Sequence, residues 1–175
     1  MEIDLRKDAV ELRNLLEKRV QEHIALAKKK KLPPVQALEI GFGINQSGWV
    51  LINFDTRDEH ERDGEWTLLI DKQSVPRDHW YAAYEGVHEE DVTFILTDGK
   101  KKVIKAVGED GDEKSDANFA GMFGEMIREV ALQASKDGVF KDLPKAKTFQ
   151  LDIEEFDSMW GWPEYDDLGK KNLLK

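Results

Sequence analysis

Cysteine is missing from all 175 positions, which removes disulfides, thiol nucleophiles, cysteine-based zinc sites and redox switching together. Long apolar runs are missing too. None approaches the roughly 20 residues of a membrane span, and hydrophobic residues at 40% are interleaved with charged residues at 35%. The first residues, MEIDLRKDAVEL, are charged from the start, with no apolar centre and no small-residue cleavage site. A secretory signal is therefore not expected, and the cytoplasm is the expected compartment. No GxGxxG follows a strand, no P-loop pattern occurs and there is no GxSxG elbow, so the signatures of cofactor and triad chemistry are lacking. His23, His60, His79 and His88 show neither HExxH nor His-x-His spacing, and no cofactor and no metal are expected. His60 and His88 adjoin carboxylates, in DEHE and HEED, which leaves room for a loosely assembled metal site but is also what chance produces in so acidic a chain.

Basic charge is short as well: the formal net charge is -10. Residues 1 to 32 carry nine Lys or Arg against six Asp or Glu, and the rest carry 17 against 30, so the acid sits in the body. Such a field repels nucleic-acid phosphates and attracts basic proteins. Ordinary solubility accounts for the same charge. The cluster Lys28 to Lys31 suits the negative end of a helix, which makes a solvated cap a sufficient reading of it.

What is present begins with ALEIGFGINQSGWVLINF, residues 37–54. Leu38, Ile40, Phe42 and Ile44 share one face by the period of a strand, and Val50, Ile52 and Phe54 match them after a turn at Asn45-Gln46-Ser47-Gly48. Gly41 and Gly43 fall on the opposite face, where something must pack close or the strand must bulge. This predicts a central hairpin. Ahead of it, Ala9, Leu12, Leu16, Val20, Ile24 and Ala27 recur at helical spacing from Asp8 to about Lys30, with Asp8 and Glu11 as a capping box or Asp4 as an alternative cap, and Pro33-Pro34 beyond the end.

After the hairpin come an acidic stretch at 55–65, a strand over Trp66 to Ile70, and a short helix starting at Ser74-Val75-Pro76 and carrying Trp80, Tyr81 and Tyr84 toward the core. Asp98-Gly99 predicts a type I′ hairpin between Val92–Thr97 and Lys102–Val107. The acidic stretch 108–116 fails as a calcium loop, since Lys114 falls on a ligand position and Ser115 on the glycine position. A second long helix runs from Asp116 or Ala117 to Asp137, with Phe119, Phe123, Met126, Ile127, Val130 and Ala134 on one side and Gly138 as its cap. Gly121 and Gly124 point to close packing there. From Thr148 to Phe156, Phe149, Leu151 and Ile153 alternate with Gln150, Asp152 and Glu154, a half-buried strand.

The expected fold is α+β: one domain over 1–175, with a single mostly antiparallel sheet of about six strands, two long helices packed on one face and one short helix. Leu16, Val20, Phe42, Ile52, Phe123, Ile127 and Leu151 should share one core, and 157–175 should be a surface-wrapping or partly frayed tail. Between Thr148 and Gly169 there is no Lys or Arg, while seven acids accompany Met159, Trp160, Trp162 and Tyr165. Aromatic anchors ringed by uncompensated acid are the composition of a surface for a basic protein. Trp160, Trp162, Glu164, Asp166 and Asp167 are the expected partner-binding residues, unless the two indoles plug the end of the sheet.

The order of elements, with WVLINFDT, EWTLLID, DHWYAAYEG, the helix ending in DGVF and the strand FQLDIEEFD, resembles a bacterial family of unknown function grouped with polymorphic-toxin immunity proteins. The MWGWPEYDD tail does not align to that family. The resemblance implies a cytoplasmic protein that neutralises a toxin by direct binding, without cofactor or catalysis. The alternative is a small carboxylate- or metal-dependent hydrolase, because 36 acids leave room for a catalytic pair whose separation is a three-dimensional quantity.

Overall fold

The computed structural model describes residues 1–44, 48–57, 74–106 and 113–156. The expected central hairpin forms as β2 (Val35–Gly43) and β3 (Trp49–Asp55), antiparallel and in register from Ala37 opposite Asp55 to Gly43 opposite Trp49. Before it come β1 (Glu2–Asp4) and the helix α1 (Leu5–Lys30). After it come β4 (Val75–Pro76), the helix α2 (Asp78–Val87), β5 (Val92–Ile95), β6 (Lys101–Ile104), the helix α3 (Glu113–Lys136) and β7 (Lys145–Glu155). The α+β class holds, but the strands form two mixed sheets and not one antiparallel one, ordered β4-β3-β2-β7 and β1-β5-β6. Two pairings are parallel, β2 with β7 and β1 with β5. Each joins strands separated by at least one long helix, and a helical crossover is what permits a parallel neighbour. The expected strand over Trp66–Ile70 lies outside the described residues, as do 45–47 of the first turn, most of 55–65, 108–112 and the tail 157–175.

α1 begins earlier than the Asp8 capping box implies. Asp4 is the cap, its Oδ1 accepting the backbone N–H of Arg6 at 3.1 Å, and the Arg6 guanidinium bonds both its oxygens, which holds the Asp4 carboxyl at about 2. Asp8 is instead buried one turn in, on the same stripe as Leu5, Leu12, Leu16, Val20, Ile24 and Ala27. The helix ends on Lys31 in the left-handed region at φ 56, with the N–H groups of Lys31 and Leu32 both returning to the Ala27 carbonyl. A side chain there carries a conformational penalty that glycine escapes. Lys31→Gly should therefore raise the unfolding free energy by about 0.5–1 kcal/mol after glycine's own unfolded-state entropy is subtracted, seen as a higher urea midpoint at unchanged slope.

Two other boundaries differ from the pattern. Val75–Pro76 is a strand paired with Trp49 and Val50, and α2 starts at Asp78, with no side-chain cap from Arg77. Within α2, Trp80 is buried and Tyr84 packs on the core, but Tyr81 is exposed, one residue and so about 100° around the helix from Trp80. The β5–β6 hairpin forms, but not with a type I′ turn, because of Asp98 and Gly99 only Gly99 has positive φ, at 83. The Leu96 carbonyl accepts from Gly99 N–H at 2.9 Å, and the Asp98 carboxylate accepts from Lys100 N–H. A short polar side chain that caps its own turn makes the second left-handed residue unnecessary.

α1 and α3 pack on each other, with α1 reaching β3 and β5 and α3 reaching β6 and β7. Both sheets contribute to one apolar core that contains all seven residues expected to share it. α3 ends as expected at Gly138, φ 78, with Val139 N–H returning to the Ala134 carbonyl and Gly138 N–H to Ser135. Gly121 and Gly124 are buried. Among the described residues no helix is long and apolar enough to cross a membrane.

Candidate protein-binding face

In the four-stranded sheet Leu38, Ile40 and Phe42 of β2, Val50 and Ile52 of β3 and Phe149, Leu151 and Ile153 of β7 fill the core, joined by Val35 ahead of a register shift in β2. The opposite positions build a second face, row by row: Asp55, Ala37 and Gln150, then Asn53, Glu39 and Asp152, then Leu51, Gly41 and Glu154, and finally Trp49 beside Gly43. Simple alternation predicts that this face is solvated. Only part of it is: Ala37 and Leu51 are buried, and Glu39 and Asp55 are only 6% and 4% exposed, whereas Asn53, Gln150 and Asp152 are half-buried and Glu154 is exposed. Buried carboxylates need partners, and both have them. Asn53 Nδ2 donates to Glu39 at 2.7 Å, and the Arg57 guanidinium and backbone N–H both bond Asp55.

Glu154 differs from these two. Its side chain is exposed, among the described residues no cation pairs with it, and partial loss of water around its carboxyl, followed by the charge of Asp152, pushes its pKa up. Beside it, the Trp49 indole lies so close over Gly43 that a Cβ there would meet Nε1 at 2.7 Å. This is the close packing expected at Gly43. Phe156 follows β7, its N–H bonding the Phe42 carbonyl at 2.9 Å, and its ring meets the indole edge-on at 5.6 Å between centroids. Among the described residues, Gly41, Trp49, Glu154 and Phe156 line a small, partly open cavity of about 80 Å³. The chain passes from Phe156 into the tail, so Trp160, Trp162, Glu164, Asp166 and Asp167 follow from this end of the sheet, but they lie outside the described residues. Neither Trp49 nor Glu154 stands out in the sequence. The usable signal is Gly43 directly opposite a tryptophan in the hairpin register.

The described histidines occupy three separate places. His23 stacks on Phe54 at 4.7 Å, and burial lowers its pKa. His88 meets the edge of Tyr84. His79 Nε2 lies 2.8 Å from Asp8 Oδ1, which also accepts the indole N–H of Trp80 at 3.0 Å. Among the described residues no three His, Asp or Glu side chains are grouped so as to hold a metal ion. The Asp8–His79 pair has the form of a catalytic dyad, but its carboxylate is committed to an indole that is 1% exposed, which makes it a tie between α1 and α2. Asp8→Ala strands that buried N–H and should cost about 1–3 kcal/mol in urea unfolding. Asp8→Asn keeps an acceptor and should recover part of the loss. A loss for the alanine variant below about 0.5 kcal/mol would mean that water replaces the carboxylate.

A broader hollow of about 400 Å³ runs between α1, α3 and the β5–β6 turn, lined by Ala9, Thr97, Glu129, Val130, Gln133 and Lys136 among others. It is larger than the cavity at Trp49, but its two charged residues, Glu129 and Lys136, are of opposite sign and it has no aromatic wall among the described residues. No family model, curated protein or solved structure matches the chain.

Proposed function

We propose that this chain is an acidic protein-binding module for a basic protein, and that it works as an immunity protein does, inhibiting a toxin by direct binding in the cytoplasm. The observation that carries the reading is the second face of the four-stranded sheet. There Glu154 stands next to Asp152 with no cation among the described residues, at a rim formed by Trp49 and Phe156. A carboxylate whose pKa is raised by loss of water and then by a like neighbour gains from a cation brought to it. In the sequence Phe156 is followed by Trp160, Trp162, Glu164, Asp166 and Asp167, so the same acidic and aromatic composition continues along the chain. The alternative, a carboxylate- or metal-dependent hydrolase, draws on Asp8 and His79, and that pair already serves Trp80.

The test is genetic and then kinetic. On this reading the adjacent gene encodes a toxin with a basic domain, and co-expression of this chain abolishes its toxicity. Changing Glu164, Asp166 and Asp167 to their amides should leave folding almost unchanged, slow association with that domain and flatten its salt dependence, while Trp162→Ala should speed dissociation. Toxicity that persists under co-expression, or a neighbourhood with no toxin gene, would sink the proposal.

A further inference from the structure

We infer that the cavity between Trp49, Phe156, Gly41 and Glu154 receives the side chain of an arginine from the basic partner. The inference rests on the binding-module reading for its partner and adds which residue that partner presents. Three features of the cavity select the occupant. Its walls are aromatic, the indole and the phenyl ring 5.6 Å apart and inclined at 66°, and a cation over such rings is attracted by their π faces. One side is Gly41, which lines the cavity with backbone alone. A further wall is Glu154, paired in register with Gly41, with Asp152 two residues away on the same face.

An apolar side chain would bury Glu154 further with nothing to satisfy it, and an anion would be repelled by it. A lysine ammonium could pair with the carboxylate but is compact and strongly hydrated. Guanidinium is planar, weakly hydrated, stacks on aromatic rings and offers a two-pronged fork to a carboxylate, so it uses all the walls at once. The raised pKa of Glu154 agrees with this, since an arginine would supply a cation that none of the described residues supplies there.

The probe is a short peptide, acetyl-Gly-Arg-Gly-amide, titrated while the Trp49 indole N–H is followed by NMR, the resonance being assigned with Trp49→Phe. The arginine peptide should shift that resonance saturably. The citrulline peptide, which has the same shape without the charge, should not, and the lysine peptide should bind more weakly. Glu154→Gln should weaken the arginine peptide about tenfold, or ~1.4 kcal/mol, whereas Asp98→Asn, on a remote exposed turn, should change nothing. The glutamine variant also removes a carboxylate that the folded state disfavours when ionised. A folded pKa above the unfolded value means that the ionised group destabilises the fold at neutral pH, so this variant should melt slightly higher than the native chain and stay folded throughout the titration.

Equal affinity of native and Glu154→Gln protein, equal shifts from citrulline, or no shift at Trp49 up to tens of millimolar peptide would each overturn the arginine pocket. If the toxin complex forms while the peptide ignores Trp49, the pocket fails alone. If the peptide seats but co-expression does not protect, the module reading fails and the pocket stands.

Discussion

Phe123→Ala should lower the unfolding free energy by about 3–5 kcal/mol, a large share of the 5–15 kcal/mol typical of a domain. Its ring is fully buried on α3, with centroids of Trp80, Phe94 and Phe119 at 4.6, 5.5 and 5.6 Å. Those neighbours belong to α2, the three-stranded sheet and α3 itself, so the truncation opens a hole where three elements meet. Rigid rings on several sides cannot collapse into it, and this puts the expected loss in the upper part of the range for large-to-small changes. For a chain of this length each kcal/mol moves the melting temperature by about 2–4 °C, so a drop of roughly 6–20 °C should accompany the lower urea midpoint. Phe156→Ala is the contrast. That ring is 41% exposed, and its loss should cost under about 1 kcal/mol. A Phe123→Ala loss below about 1 kcal/mol would show that α3 does not pack as described.

Which parts of this architecture can be read from the sequence follows from what periodicity encodes. Leu38, Ile40 and Phe42 in β2, Phe149, Leu151 and Ile153 in β7, and the stripe from Leu12 to Ala27 in α1 each repeat at the spacing of their element, and each forms the face expected of it. Pairing direction is not encoded there. A strand looks the same to a parallel or an antiparallel neighbour, so β7 beside β2 emerges only with the crossover in place. β1 has three residues, too few to show a period. Asp8 reads as a cap because caps are the usual place for Asp before an apolar stripe, and its actual role depends on Trp80, 72 residues away. The second sheet face is hidden for a related reason: Glu39 and Asp55 carry the polar side chains of a solvated surface, yet Asn53 and Arg57 satisfy them in burial. Glu154 has the same appearance in the sequence. Only the register that sets it beside Gly41, and the distance that sets Trp49 beside Phe156, separate it from the other acids.

Gly48→Ala should be nearly as damaging as the loss of Phe123, for a reason that lies in the backbone. Gly48 sits at φ +54 at the end of the β2–β3 turn, and its carbonyl accepts the backbone N–H of Arg77 at 2.8 Å. A Cβ there would meet the Arg77 carbonyl oxygen at 2.3 Å and the Tyr81 nitrogen at 3.1 Å. Both are backbone atoms and cannot swing aside as a flexible side chain would. Arg77 is itself held, 9% exposed, with its guanidinium 3.2 Å from Glu11 on α1 and its carbonyl accepting from Trp80 N–H. The strain therefore passes to the start of α2 and to the strand pair β3–β4. A left-handed penalty of about 1–2 kcal/mol and an overpacking cost of about 1–3 kcal/mol together give an expected loss of about 2–5 kcal/mol. Gly99 is the internal control, because its φ of +83 is equally unfavourable for alanine, yet no atom lies within 4 Å of the added carbon. Gly99→Ala should cost only the conformational part, about 1 kcal/mol once the lower entropy of the unfolded chain is counted. The difference between the two variants in urea unfolding then measures the clash by itself. Equal losses would mean that the turn hinges away from α2 without resistance, and the packing of Gly48 against Arg77 would not be what fixes the turn in place.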